Sequence, residues 1–149
     1  MTRFDLFRPA GVLLVAVAIL ALPGRASAEE RPHKLQGTAQ FVSPTDFVGA
    51  GQATHLGLYT EVGCASFSPT ADPTVLRVDA WVVLTAADGD QLHETITGEL
   101  DLLTGAITAT VTYVGGTGRF DEADGTATLT GPMLPGGSIA VAVEGTIDY

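Results

Sequence analysis

Alternation between apolar and polar residues at every second position runs through most of the chain after residue 28. It is clearest at residues 106–114, where Thr108, Thr110 and Thr112 share one face and apolar side chains share the other. Successive side chains of a β-strand point to opposite faces, so this period of two predicts strands. No window beyond residue 28 repeats apolar residues at helical spacing over three turns, which argues against helices in this part of the chain.

Turn-forming residues divide the alternation into short segments. The predicted strands are residues 35–42, 52–62, 74–85, 91–100, 106–114, 125–130 and 138–149. The Asp88-Gly89 pair is typical of a hairpin turn, and residues 67–73, with two prolines, predict a loop or an irregular edge. Seven or eight strands without intervening helices predict an all-β antiparallel meander, and sequential hairpins favour an up-and-down, eight-stranded barrel over a Greek-key sandwich. Such a barrel is filled by side chains or holds one small ligand.

The N-terminal segment has the layout of a secretory signal peptide. Arg3 and Arg8 precede an apolar run at 10–22, and an Ala-Ser-Ala cleavage site ends at Ala28. The run is shorter than the roughly 20 residues that span a bilayer as a helix, and no second run follows. We therefore expect residues 1–28 to be a signal peptide cleaved after Ala28, and residues 29–149 to be one secreted or periplasmic domain that is not embedded in a membrane. The alternative is an uncleaved N-terminal anchor.

Charge and cysteine content narrow the range of partners. The formal net charge is −10, and residues 29–149 contain four basic and sixteen acidic residues, a net charge of −12. This balance argues against binding nucleic acid or an anionic membrane surface. A single cysteine, Cys64, excludes an intrachain disulfide and is predicted to be a small buried apolar residue. The histidines His33, His55 and His93 lie on separate elements, so we predict neither a metal site nor a cofactor.

The most distinctive stretch is rich in glycine and covers residues 113–127. It resembles the G-G-T-G-x-F-x-x-A-x-G signature of the dirigent and allene oxide cyclase-like barrels, matched here by Gly115, Gly116, Thr117, Gly118, Phe120, Ala123 and Gly125. Strand order and length extend the resemblance loosely over residues 34–149. It implies an eight-stranded antiparallel barrel with a central hydrophobic cavity. The plant members are often trimeric, so the resemblance also implies a homo-oligomer. Those members cyclise a fatty-acid-derived epoxide or steer the coupling of phenolic radicals, and their catalytic carboxylate and polar pocket residues have no recognisable counterpart in this chain.

The same stretch also predicts a structural turn from its residues alone. Gly115, Gly116 and Gly118 allow a sharp turn out of the strand at 106–114, Phe120 is placed to plug one end of the barrel, and Gly125 permits close backbone approach. If Gly116 has a positive φ, replacing it with valine should destabilise the fold by about 1–3 kcal/mol. The alternative, a phosphate-binding loop, lacks both the following helix and a Lys-Ser/Thr pair.

Two predicted strands carry candidate site residues. In residues 52–62, His55, Tyr59 and Glu61 share one face; the opposite face is more apolar and could face the core, which would turn these three toward solvent or a partner. The reversed register would place them in the cavity, with His55 and Tyr59 binding a ligand and Glu61 acting in catalysis. In residues 91–100, Glu94 interrupts an apolar row, as a cavity base would, or else lies at the rim of the barrel.

The sequence favours an exported, non-catalytic barrel that binds a small hydrophobic molecule. One alternative, implied by the resemblance, is an isomerase or cyclase of the allene oxide cyclase type in which Glu61 or Glu94 assists ring closure. A third is a structural envelope protein, which predicts a filled interior and a large contact between subunits. The position of the two glutamates relative to the barrel interior separates these hypotheses.

Overall fold

A computed structural model describes residues 29–149, so the predicted signal peptide lies outside the described residues. Eight antiparallel strands form a closed barrel in which each strand pairs with the next and the last pairs with the first. The strands are β1 (Arg31–Phe41), β2 (Asp46–Ala53), β3 (Gly57–Pro69), β4 (Val75–Ala86), β5 (Gln91–Asp101), β6 (Ala106–Gly116), β7 (Asp124–Leu134) and β8 (Ser138–Asp148). The predicted all-β, up-and-down, eight-stranded barrel is confirmed. No helix in the described range is long and apolar enough to cross a membrane.

The period-two alternation sorts the side chains between the interior and the outer surface. In β6, Ile107, Val111 and Tyr113 are buried, whereas Thr108 and Thr110 are exposed. The other strands follow this alternation, except that β4 buries Val82, Val83 and Leu84 in succession, and the inward-facing rows together form one core cluster. Because β8 pairs with β1, the sheet exposes no unpaired edge.

The strand predicted at residues 52–62 is wrong, because a tight turn at 54–56 divides it. β2 ends at Ala53 and β3 begins at Gly57, and His55 between them has a φ of 73°. The turn contains no glycine or proline, so its composition resembles that of the flanking strands. The loop predicted at 67–73 is also shorter than expected, because β3 continues to Pro69.

Cys64 is exposed, so the prediction that it is buried is wrong. It lies on β3 between Gly63 and Ala65, which face the interior. The alternation that turns Ala65 inward therefore turns Cys64 toward solvent.

The two ends of the barrel differ. The lower end, which contains the turn at 54–56, the turn at 87–90 and a 3₁₀ turn at Gly118–Phe120, is filled by the fully buried side chains of Phe120, Leu92 and Ile147. The upper end, which contains the turns after β1, β3, β5 and β7, carries half-buried Phe41, Phe47 and Phe67, with ring centroids 5.6 and 5.9 Å from Phe41. An opening into the interior therefore lies at the upper end.

The glycine-rich stretch produces the plug at the lower end. The register between β5 and β6 shifts between Leu92 and Glu94, which is a β-bulge, and Gly115 within it has a φ of 93°. Gly116 does not have the positive φ considered above; instead, a Cβ at this position would overlap the carbonyl oxygen of Gln91. Beyond the bulge the chain turns across the end of the barrel and places Phe120 inside it.

Arg119 fixes this plug to the neighbouring turns. Its guanidinium donates hydrogen bonds to the carboxylates of Asp88 and Asp90 and, over 3.0 Å, to the carbonyl oxygen of His55. The arginine stands on the 3₁₀ turn, the two aspartates on the β4–β5 turn and His55 on the β2–β3 turn. One side chain therefore ties together the three turns that close the lower end.

Candidate functional site

A cavity of about 70 Å³ lies inside the barrel, between the phenylalanines of the upper end and the middle of the strands. A site that holds one water needs only about 10–15 Å³, so this space is several times larger than the minimum. Its wall is mainly aliphatic and aromatic, and it includes Leu35, Val82, Ile96 and Leu129. Among the described residues that line it, ionisable groups come from Glu61 and Glu94 alone.

The two carboxyl groups enter the lumen from different strands. Glu61 lies on β3 opposite Gly49, and a Cβ on that glycine would overlap the carboxyl group, so the absent side chain makes room for it. Glu94 lies on β5 opposite Tyr113 and Val82 on its two neighbouring strands, and only 3% of it is exposed. Of the two positions considered for Glu94, the rim of the barrel is wrong, because the side chain belongs to the inner wall of the cavity.

Burial changes the acidity of both groups. Loss of contact with water raises the pKa of Glu61 to about 7. Burial, followed by repulsion from the neighbouring Glu61 carboxylate, raises the pKa of Glu94 to about 8. At neutral pH Glu94 is therefore mainly protonated, and both carboxyls can take up or release a proton in the physiological range.

Two buried phenols accompany the carboxyls. The pKa of Tyr59 is raised by burial and then by Glu61 and Glu94, and that of Tyr113 by burial and then by Glu94, so both hydroxyls stay protonated. Neither hydroxyl oxygen has a hydrogen-bond partner in the described part of the chain, and the same is true of Oε1 of Glu94. Such buried polar atoms normally find partners, so this group of residues has unused hydrogen-bonding capacity.

Histidines lie below this group, toward the lower end. His33 is fully buried, with its ring centroid 5.3 Å from that of Tyr113 and 5.9 Å from that of His55. Burial, and then the neighbouring His55, lowers the pKa of His33 to about 4, so its ring is neutral at physiological pH. The Nε2 atom of His55 lies 2.9 Å from the carbonyl oxygen of Pro32, and its ring packs 5.5 Å from that of Tyr149.

The structure thus brings together only part of the predicted site. Tyr59, Glu61 and Glu94 face the interior, which is the reversed register of the two considered, whereas His55 belongs to the plugged end and does not line the cavity. Tyr113 and His33 were missed. The alternation of Tyr113 with Val111 marked it as inward-facing, but His33 precedes the predicted start of the first strand.

Two comparisons of the sequence with known proteins identify no relative. The chain matches no family model, and no curated protein is similar enough to be recognised as related. Across residues 29–149, no three or more His, Cys, Asp or Glu side chains come together in a group that could hold a metal ion. The function is therefore argued from the cavity itself.

Proposed function

We propose that this protein is an exported barrel that binds a small hydrophobic molecule in its lumen and does not transform it. The observation that carries the proposal is an apolar cavity that is plugged at one end and has two buried carboxyls in its wall. Ligand pockets combine apolar walls with a few polar groups that fix orientation, and this cavity has that composition. The ligand would enter between the phenylalanines of the upper end and direct its polar group toward Glu61 and Glu94.

Calorimetric titration with 1-hexanol, a neutral molecule with an apolar chain and one hydroxyl, tests this proposal. We expect saturable binding at one site per chain. Ala65→Phe fills the cavity from its wall and should weaken binding about tenfold or more, because the added ring occupies the ligand's space. Ala50→Phe adds the same ring to the exposed outer face of β2 and should leave binding unchanged. Absence of binding, or equal weakening by both variants, would reject the proposal; thermal melting of each variant verifies that it is folded.

A second function is favoured by the inward orientation of both glutamates. An intramolecular cyclase of the allene oxide cyclase type needs a carboxylate inside an apolar cavity, and Glu61 and Glu94 supply two with pKa values near neutrality. We would expect such an enzyme to rearrange an unsaturated, fatty-acid-derived epoxide and to lose turnover in Glu61→Gln or Glu94→Gln. No rearrangement above the rate in buffer alone would leave the binding function as the better account. The purely structural alternative predicted a filled interior, and the cavity weighs against it.

We further propose that the chain is a bacterial-type exported member of the allene oxide cyclase and dirigent-like barrels. The closed eight-stranded barrel supports this, as does the position of the shared glycine-rich motif at the bulge and plug. Export is tested by expressing the full chain and sequencing the N-terminus of the released protein. We expect it to begin at Glu29, and retention of residues 1–28 would reject cleavage after Ala28.

A further inference from the structure

We propose that the lumen is built to hold a protonated organic amine, with its ammonium group between Glu61 and Glu94 and its apolar part directed toward the upper end. This inference rests on the proposed function and names the class of its ligand. It is carried by a set of buried oxygen atoms that have no positively charged partner among residues 29–149.

Buried oxygen atoms in and beside the cavity can accept hydrogen bonds from a ligand. Glu94 lines the cavity, is almost fully buried and has an oxygen, Oε1, without any hydrogen-bond partner among the described residues. The hydroxyl oxygens of Tyr59 and Tyr113 are likewise buried and unpartnered, and Glu61 adds a second carboxyl. An ammonium group carries three N–H donors and no acceptor, so it can donate to the carboxyl oxygens of both Glu61 and Glu94, which line the cavity.

Residues 29–149 supply no cation of their own to this region. Of the four basic residues in 29–149, Lys34 pairs with Glu144, Arg77 pairs with Asp79, and Arg119 reaches the aspartates of the lower end. Arg31 lies over the ring of Tyr149, 4.7 Å from its centroid. Each of these contacts is outside the cavity, and the buried His33 is neutral. A ligand cation would therefore provide the counterion that a pair of buried carboxylates needs.

The charge of the chain separates the amine from other head groups. An anionic ligand would meet two acidic groups without a counterion, and the net charge of −12 over residues 29–149 opposes its approach. A neutral carbonyl can accept from the phenols and from a protonated glutamate, but it gains nothing when the carboxyls ionise. A neutral hydroxyl can then donate one hydrogen bond to a carboxylate, but it brings no charge that neutralises the pair. A protonated amine gains the most binding energy when the carboxyls are ionised, because charge-assisted hydrogen bonds are about twice as strong as neutral ones.

Three probes with the same chain length test the assignment by calorimetry at about pH 8: hexylamine, 1-hexanol and hexanoate. We expect hexylamine to bind about tenfold more tightly than 1-hexanol, since it adds a charge-assisted contact, and hexanoate to bind least. If 1-hexanol binds as tightly as hexylamine, the amine assignment is wrong and the proposed function stands. If hexanoate binds most tightly, the amine assignment is also wrong. If none of the three binds, both proposals are wrong.

The pH dependence gives a second readout that does not need a variant. Two titratable side chains face Glu61 and Glu94: Tyr59, which lies on β3 as Glu61 does, and Tyr113 of β6. His33 of β1 lies behind Tyr113. The phenols stay protonated and His33 stays neutral between about pH 6 and about pH 9, so among these facing groups the two carboxyls are the ones that titrate. Affinity for hexylamine should rise across this range with release of a proton on binding, whereas affinity for 1-hexanol should change much less. A flat profile for hexylamine contradicts the assignment.

Isosteric variants assign the effect to the two carboxyls. Glu61→Gln and Glu94→Gln should each reduce affinity for hexylamine about tenfold while leaving that for 1-hexanol within about twofold. Glu99→Gln removes an exposed carboxyl from the outer face of the same strand as Glu94 and should change neither. A preference for the amine that survives both inner variants, or that Glu99→Gln reduces equally, would place the amine elsewhere on this acidic protein.

Discussion

The carboxyl group of Glu94 is placed where a charge is most costly. It is enclosed by the barrel wall, one of its oxygens has no hydrogen-bond partner in the described part of the chain, and a second glutamate lies near it. An apolar residue would fill this position with less free-energy cost. The protein tolerates the cost by keeping the group protonated in the absence of a cation, which also makes its stability depend on pH.

Replacing Glu94 with glutamine should remove a loss of stability at high pH. The folded protein holds the proton of Glu94 up to a pKa of about 8, compared with an ordinary value of 4.5. Stability from this group is therefore fully present below about pH 4.5 and is lost as the pH rises through about 8. The free energy of unfolding of Glu94→Gln, relative to that of the wild type, should therefore be higher at about pH 9 than at about pH 5 by a few kcal/mol.

Urea denaturation at the two pH values measures this difference, and the exposed Glu99→Gln serves as the control. The control should follow the wild type at both values. A Glu94→Gln variant that also follows the wild type would show that the carboxyl is exposed to water in the native protein.

His33 should produce the opposite dependence at low pH. Its pKa in the folded protein is about 4, below the ordinary 6.5, because the buried ring resists a charge. Its contribution to stability is present above about pH 6.5 and is lost as the pH falls through about 4. His33→Phe keeps a ring against Tyr113 and should reduce the acid sensitivity, measured as the free energy of unfolding at about pH 4 and about pH 7. As a control, His93→Phe changes the outer face of β5 and should leave the acid sensitivity unchanged. An unchanged acid sensitivity in His33→Phe would mean that His33 is hydrated in the folded protein.

Among the structural elements, the bulge and plug at the lower end are the most specific feature. The bulge between β5 and β6 lies beside Glu94 and Tyr113, so the same irregularity that starts the plug also sets the position of two side chains of the site. Arg119 then holds the 3₁₀ turn to the two neighbouring turns. The glycine-rich motif thus shapes the floor of the lumen without contributing a side chain to the cavity.

Substitutions of two glycines distinguish the two reasons for which glycine is needed. Gly89 has a φ of 94° with no atom near its missing Cβ, so Gly89→Ala should cost only the strain of the left-handed region, about 1 kcal/mol. Gly116 does not need a positive φ, but a Cβ there would overlap the carbonyl oxygen of Gln91, so Gly116→Ala should cost about 2–3 kcal/mol. Chemical denaturation measures both; an equal or smaller cost at Gly116 would contradict the close approach of the two strands.

Most strands could be predicted from the sequence. The barrel wall has an apolar inner face and a polar outer face, so apolar and polar residues alternate along each strand. The turn at 54–56 could not be predicted, since it has neither glycine nor proline and the alternation continues through it from His55 to Tyr59. For the same reason His55 was grouped with Tyr59 and Glu61 although it lies at the plugged end. The sequence left open whether Glu61 faces the interior or the solvent. The opposite face of its strand, with Leu58 and Val62, is the more apolar of the two, yet it is exposed.

For the molecule as a whole, closure of the barrel separates two environments. The outer surface carries the excess of negative charge and rows of threonine, whereas the lumen is apolar above and polar around Glu61, Glu94 and the two tyrosines. The plug leaves the upper end as the route into the lumen. We therefore propose that the ligand binds inside the barrel rather than on its outer surface.

Methyl NMR during a titration with 1-hexanol can locate the bound ligand. Val82 and Ile96 line the cavity, whereas Leu58 and Val62 are exposed on the outer face of β3. We expect the methyl resonances of Val82 and Ile96 to shift and saturate together while those of Leu58 and Val62 remain unchanged. Shifts confined to Leu58 and Val62, or no saturable shift at any of the four, would contradict a ligand-binding lumen.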